Sequence, residues 1–86
     1  MTLREIKAAL RNGKYAWPGG YPLYFIATNG DPLSFEAVRA NWRAVCECHI
    51  KDGPACWDVS AIDTNWEDSE LCCAETGERI ESAYAD

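Results

Sequence analysis

The 86-residue chain lacks a long hydrophobic run. No stretch approaches the roughly 20 consecutive apolar residues that a membrane-spanning helix needs. Residues 1–7 read as the start of an amphipathic helix, and they contain neither the apolar core nor the cleavage site of a signal peptide. We therefore expect a cytoplasmic protein of one domain, residues 1–86, that makes no contact with a membrane.

Histidine is scarce as well, because His49 is the only one in the chain. Acid–base catalysis would therefore depend on carboxylates, and the most clustered of them fall in residues 67–70, which read as a solvated loop. A phosphate-binding loop is also missing, since Gly19-Gly20 is not followed by the helix that such a loop requires. We expect no enzymatic activity and no cofactor.

Basic residues are nearly absent from the C-terminal part. Residues 52–86 carry ten acidic side chains and a single basic one, Arg79, whereas residues 1–51 carry seven basic and four acidic side chains. An acidic face repels nucleic-acid phosphates, so we expect no direct nucleic-acid binding, while a partner with a basic surface would be attracted. The simpler alternative is a solvated acidic surface that only keeps the protein soluble.

Five cysteines are an odd number, and the cytoplasm is reducing, so a disulfide framework is not expected. Cys46 and His49 lie three residues apart on a predicted helix and could bind a metal together with Cys72 and Cys73. They could also act as a nucleophile and its base, although no orienting carboxylate is evident. We favour the interpretation that the thiols, including Cys56, act as small hydrophobic side chains.

Two helices are predicted. Thr2 can cap the first, which carries an apolar stripe of Leu3, Ile6 and Leu10 and ends near Gly13. Ser34 can cap the second, in which apolar residues recur every three or four positions as far as about Ile50.

The predicted strands are short. Tyr21–Thr28 is rich in aromatic and β-branched residues, and Asn29-Gly30 then favours a tight turn into a strand at residues 32–33. Further strands are predicted at residues 57–63, at 71–73 and at 79–81, the last two around a turn at residues 75–77. The order α-β-β-α-β-β-β indicates an α+β domain in which a small antiparallel sheet packs against two helices.

Several motifs together resemble a group of small uncharacterised proteins that occur on phages and other bacterial mobile elements. The motifs are residues 17–24 (Trp-Pro-Gly-Gly-Tyr-Pro-Leu-Tyr), 29–34 (Asn-Gly-Asp-Pro-Leu-Ser), 65–68 (Asn-Trp-Glu-Asp), 73–77 (Cys-Ala-Glu-Thr-Gly) and 80–84 (Ile-Glu-Ser-Ala-Tyr). The resemblance covers most of the chain, apart from about residues 44–56. It implies no established activity.

Some members of that group carry two cysteine pairs in a pattern that suggests a four-cysteine zinc site. The matching positions here are Ser34, Ala37, Cys73 and Thr76, of which only Cys73 keeps a thiol. Residues 73–77 still have the outline of a zinc knuckle, with Gly77 at the tight turn, but a threonine hydroxyl is a poor zinc ligand. The resemblance therefore implies that the metal site has been lost.

The aromatic residues allow two interpretations. Trp17 is expected to be a lid over a small core, and Trp66 is expected to anchor the core, with contact to a partner as the alternative. Tyr15 and Tyr21 could belong either to the lid or to a recognition surface, because aromatic side chains dominate interface hot spots. A homodimer is a further alternative, since a small domain rich in aromatic residues can bury more apolar surface against a second copy.

The leading hypothesis is a non-catalytic protein of a mobile element that binds and inhibits a host protein or nucleoprotein complex, for example in the manner of an anti-CRISPR protein. An acidic face would occupy the basic residues with which the complex grips nucleic acid. The expected partner-binding residues are Asp63, Trp66, Glu67, Asp68, Glu70, Glu75, Glu78 and Glu81. The alternative is a structural zinc-binding domain with Cys46, His49, Cys72 and Cys73 as ligands.

Overall fold

A computed structural model describes residues 1–16, 20–51 and 57–83. Its helices and strands follow the order α1 (Leu3–Asn12), β1 (Tyr15–Ala16), β2 (Tyr21–Ala27), β3 (Pro32–Leu33), α2 (Phe35–Ala40), α3 (Trp42–Lys51) and β4 (Val59–Thr64). The predicted α+β class with a small antiparallel sheet is confirmed. The expectations for Trp17 and Cys56, and the motif residue Tyr84, lie outside the described residues.

Helix α1 begins and ends where the sequence predicts. The Thr2 hydroxyl accepts a hydrogen bond from the Glu5 backbone N–H at 3.1 Å, and the Glu5 carboxylate accepts one from the Thr2 backbone N–H at 2.9 Å. This reciprocal capping box satisfies two of the donors that a helix N-terminus leaves open. At the other end Gly13, with φ of 92°, donates its N–H to the Ala9 carbonyl at 3.1 Å.

Strand β2 is the centre of the sheet, because all three other strands pair with it in antiparallel fashion. The turn at Asn29-Gly30 returns the chain to β3, and the Gly30 N–H bonds to the Ala27 carbonyl at 2.8 Å. Strand β4 pairs along most of β2, with an irregularity between Ile26 and Ala27. Strand β1 is not among the strands that the sequence predicts.

The predicted long helix is wrong in one respect: it is two helices, α2 and α3, separated at Asn41. Ser34 caps α2 as expected, since its hydroxyl accepts a bond from the Ala37 N–H at 3.0 Å. The Asn41 side chain donates to the Ala37 carbonyl at 2.9 Å, and its backbone leaves helical geometry with φ of −114° and ψ of 31°. An asparagine that bonds to nearby backbone in this way competes with a regular helix.

The core lies between the sheet, the three helices and the C-terminal residues, and α3 contributes the fully buried Val45. Phe25 of β2 and Phe35 of α2 stack at its centre, with ring centroids 4.4 Å apart and planes inclined by 20°. Cys73 and Ile80 belong to the same cluster of buried side chains. The acidic C-terminal part is therefore fixed to the domain by apolar contacts.

The two strands predicted at residues 71–73 and 79–81 are reduced to a single bridge between Cys72 and Arg79. We call residues 71–81 the C-terminal hairpin. It is held by bonds from the Cys73 N–H to the Glu78 carbonyl at 2.8 Å and from the Ile80 N–H to the Leu71 carbonyl at 2.7 Å. Beyond these bonds the chain turns: the Gly77 N–H bonds to the Cys73 carbonyl at 2.8 Å, and the Ala74 N–H bonds to the Pro32 carbonyl at 2.9 Å.

Within residues 1–16, 20–51 and 57–83, none of the helices is both long enough and apolar enough to cross a membrane.

Candidate functional site: an acidic surface with an aromatic pair

Asn65 joins the two acidic segments of the chain. It is buried, and its side-chain amide donates to the carbonyls of Asp68, Ile80 and Glu81 at 3.0–3.1 Å while its oxygen accepts from the Asp68 N–H at 3.2 Å. Its backbone carbonyl accepts from Ala83 at 2.9 Å. We call residues 65–70, which follow β4, the acidic loop. Asn65 fixes this loop against the C-terminal hairpin, a role that sequence reasoning missed.

Arg79 is a second connection between the same segments. Its guanidinium donates to the Ser69 carbonyl at 2.6 Å and to the Ser82 hydroxyl at 3.4 Å. The one basic side chain of residues 52–86 is thus directed at neutral oxygens. It brings the two segments together without an ion pair to a carboxylate.

The structure places all seven predicted acidic residues at the surface. Among the described residues, none of them forms an ion pair, since the ion pairs found there join Lys14 to Glu36, Arg43 to Glu47 and His49 to Asp58. We call this set the acidic surface: Asp63, Glu67, Asp68, Glu70, Glu75, Glu78 and Glu81. Unpaired carboxylates on neighbouring segments give a negative potential that attracts cations.

Three members of the acidic surface have structural roles. The Asp68 carboxylate accepts from the Glu70 N–H at 2.9 Å, and the Asp63 carboxylate accepts from the Thr64 N–H at 2.8 Å. The Glu81 carboxylate accepts from the Tyr15 hydroxyl at 2.5 Å. Side-chain hydrogen bonds of this kind are not found for the other four carboxylates within the described part of the chain. Those four, Glu67, Glu70, Glu75 and Glu78, are the best placed to contact a partner.

Trp66 lies on the acidic loop, and its expected role as a core anchor is wrong. The side chain is 47% exposed, and its ring packs against that of Tyr21 with centroids 4.7 Å apart and planes inclined by 56°. The tilted arrangement is a favourable geometry for two aromatic rings. An exposed tryptophan beside Glu67 combines an apolar surface with negative charge.

Tyr24 and Tyr15 show how the acidic surface acts on its neighbours. Burial raises the pKa of Tyr24, and the nearby Asp63 and Asp68 carboxylates raise it further. The hydrogen bond to Glu81 raises the pKa of Tyr15, because ionising the phenol would bring two negative charges together. Both tyrosines therefore stay neutral in the physiological range.

The turn at residues 73–77, which we call the knuckle-like turn, forms although Thr76 stands where a zinc knuckle has its second cysteine; the Gly77 N–H bonds to the Cys73 carbonyl at 2.8 Å. Cys73 is buried at its base. Burial alone would raise the pKa of the thiol, but hydrogen bonds from the Thr76 side chain and from the backbone N–H groups of Ser34, Thr76 and Glu75 together lower it. The structure thus places Ser34 and Thr76, two of the positions matched to zinc ligands, next to the sulfur of Cys73.

The alternative zinc set is not assembled. Cys72 is exposed and Cys73 is buried, and the His49 ring bonds to the Val45 carbonyl at 3.0 Å and lies 3.7 Å from the Asp58 carboxylate. In residues 1–16, 20–51 and 57–83, no three His, Cys, Asp or Glu side chains are placed so that they could hold a metal ion.

Comparison of the chain with protein-family models, with curated proteins and with solved structures gave no match.

Proposed function

We propose that this protein is a non-catalytic inhibitor that binds a basic surface of a host protein or nucleoprotein complex and prevents that surface from holding nucleic acid. It would act in the cytoplasm of a bacterial host, and inhibition of a defence complex, as by an anti-CRISPR protein, is the most concrete form. The proposal rests chiefly on the unpaired carboxylates of the acidic surface.

The position of Trp66 supports a binding role. An exposed tryptophan supplies a large contact area at a small entropic cost, and tryptophan is enriched in the residues that dominate interface energies. Glu67 and Asp68 follow it directly in the chain. An aromatic side chain on a loop that also carries carboxylates suits a partner surface that presents arginine or lysine among apolar atoms.

The scaffold supports it as well. Asn65 and Arg79 hold the acidic loop and the C-terminal hairpin in one arrangement. A preformed set of carboxylates loses little conformational entropy when it binds, so more of the interaction energy appears as affinity. The acidic surface would therefore compete with nucleic-acid phosphates for the basic residues of the partner.

Capture from bacterial extract at low salt, followed by mass spectrometry, tests the proposal. We expect the wild-type protein to retain a nucleic-acid-binding protein or complex. The loop variant Glu67→Gln/Glu70→Gln should retain much less of it, because two unpaired charges are lost while side-chain size is kept.

The matched control is Glu5→Gln/Glu47→Gln, which changes the net charge by the same amount. Glutamine can replace Glu5 in a capping box, and the one ion pair of Glu47 within the described residues is the exposed pair with Arg43. This control should retain the partner as the wild type does. Equal loss in both variants, or capture of no basic partner, would contradict the proposal.

A further inference from the structure

A small recess lies where the C-terminal hairpin meets α2 and β2. Its volume is about 150 Å³. The floor is mostly apolar and the rim is charged. The floor is lined by Pro22, Leu23, Phe35 and Ile80 together with the polar Ser34, and the rim by Lys14, Glu36, Glu78, Arg79 and Glu81. Two members of the acidic surface, Glu78 and Glu81, thus border a concave site rather than an open face.

The charges of the rim do not cancel. Three carboxylates face two cations, which leaves one negative charge in excess. Lys14 is paired with Glu36 at 3.0 Å, and this hydrogen bond raises the pKa of Lys14. Arg79 donates to neutral oxygens of Ser69 and Ser82. The uncompensated charge therefore lies at Glu78 and Glu81, and a single cation would neutralise the rim.

We propose that this recess receives one arginine side chain of the partner. The inference rests on the proposed function and adds to it the chemical group that the partner must present. The aliphatic part of the side chain would lie on Ile80 and the neighbouring apolar floor. The guanidinium would donate hydrogen bonds to Glu78 and to Oε1 of Glu81, since Oε2 of Glu81 accepts from the Tyr15 hydroxyl.

Size and chemistry both favour arginine. A cavity of about 150 Å³ holds a benzene molecule in another protein, and benzene has as many heavy atoms as the arginine side chain beyond its Cβ. Guanidinium is planar, weakly hydrated and able to form paired hydrogen bonds with carboxylates, so it tolerates an apolar floor better than a lysine ammonium does. Nucleic-acid-binding surfaces are rich in arginine.

The probe for the test is a capped Gly-Arg-Gly tripeptide, titrated into the whole protein and followed by amide chemical shifts. We expect saturable shifts at Lys14, at residues 34–36 and at residues 78–81. A Gly-citrulline-Gly peptide of the same shape but without charge should produce none. Glu78→Gln/Glu81→Gln should weaken arginine binding about tenfold or more, the loss expected when a charge-assisted hydrogen bond is removed.

The loop variant Glu67→Gln/Glu70→Gln is the matched control and should bind the arginine peptide as the wild type does. Glutamine at residue 81 keeps an acceptor for Tyr15, and thermal unfolding verifies that each variant is folded. Equal binding of the citrulline peptide, shifts confined to other surfaces, or no effect of Glu78→Gln/Glu81→Gln would overturn the recess assignment. If the protein captures a basic partner, and if that capture is weakened by Glu67→Gln/Glu70→Gln, the proposed function would still be supported.

Discussion

Asn65 is the residue on which the acidic surface depends most. It adds no charge, yet its side chain satisfies backbone groups in both the acidic loop and the C-terminal hairpin. In the sequence it stands before Trp66 and Glu67 and resembles an ordinary loop residue. Two of its partners, Ile80 and Glu81, are 15 and 16 residues away in the chain, so no local pattern reveals the contact.

Replacing Asn65 with alanine should lower the free energy of unfolding by about 2–3 kcal/mol, because buried carbonyls lose their donor. Asn12→Ala is the control, since Asn12 is exposed at the end of α1; its effect should stay within about 0.5 kcal/mol. Urea denaturation measures both. A loss at Asn65 no larger than that at Asn12 would show that the amide does not hold the two segments together.

Cys73 illustrates a second effect of a single side chain. The knuckle-like turn surrounds its sulfur with hydrogen-bond donors, and these stabilise the thiolate against the cost of burial. In zinc knuckles a metal stabilises such thiolates. Here the Thr76 hydroxyl and the backbone amides of the turn perform part of that task.

Stability should depend on pH through Cys73. Its folded pKa is lowered from the usual value of about 9.0, so its stabilising contribution is complete above that value and is lost as the pH falls through the folded pKa. The difference in unfolding free energy between wild type and Cys73→Ser should therefore grow as the pH is raised from neutral towards 9.0. Denaturation curves at several pH values measure it; a difference that shrinks with rising pH would contradict the assignment.

At the scale of elements, local chemistry predicts most boundaries. The Thr2 capping box, the Ser34 cap and the Asn29-Gly30 turn lie where the sequence places them, because each signal involves residues within four positions. The break at Asn41 is different. Asparagine also occurs within many uninterrupted amphipathic helices, so the sequence alone does not reveal the break. The bond from the Asn41 side chain to the Ala37 carbonyl shows that Asn41 separates two helices.

The C-terminal hairpin depends on Gly77, whose φ of 75° lies in the left-handed region. A side chain there would meet no atom within 4 Å, so a substitution is opposed by backbone conformation alone. Gly77→Ala should cost about 1–2 kcal/mol of unfolding free energy. Gly77→Asn should cost less, since asparagine tolerates this region. Equal losses for the two variants, measured by thermal unfolding, would count against this explanation.

At the scale of the whole molecule, charge is divided along the chain. Residues 52–86 are strongly acidic, while α1 carries Arg4, Lys7 and Arg11 around a shallow surface groove. The sequence predicts this division directly from composition. It does not predict that Glu78 and Glu81 border a recess, because that requires the hairpin to pack beside α2.

Association with a basic partner should be sensitive to salt. Exposed charges are screened over about 10 Å at 0.1 M salt, and charges at an interface act mainly on the rate of encounter. We expect the association rate constant, measured by surface plasmon resonance, to fall as salt rises, while the dissociation rate constant changes less. An association rate independent of salt would mean that the acidic surface does not guide the encounter.

Displacement of a fluorescently labelled nucleic acid from the captured partner tests whether this protein and the nucleic acid compete for one surface. We expect the wild-type protein to release the nucleic acid as it binds. Glu67→Gln/Glu70→Gln should require a higher concentration for the same release, and Glu5→Gln/Glu47→Gln should match the wild type. A ternary complex, in which the partner holds this protein and the nucleic acid together at saturating concentrations, would contradict competition for one surface.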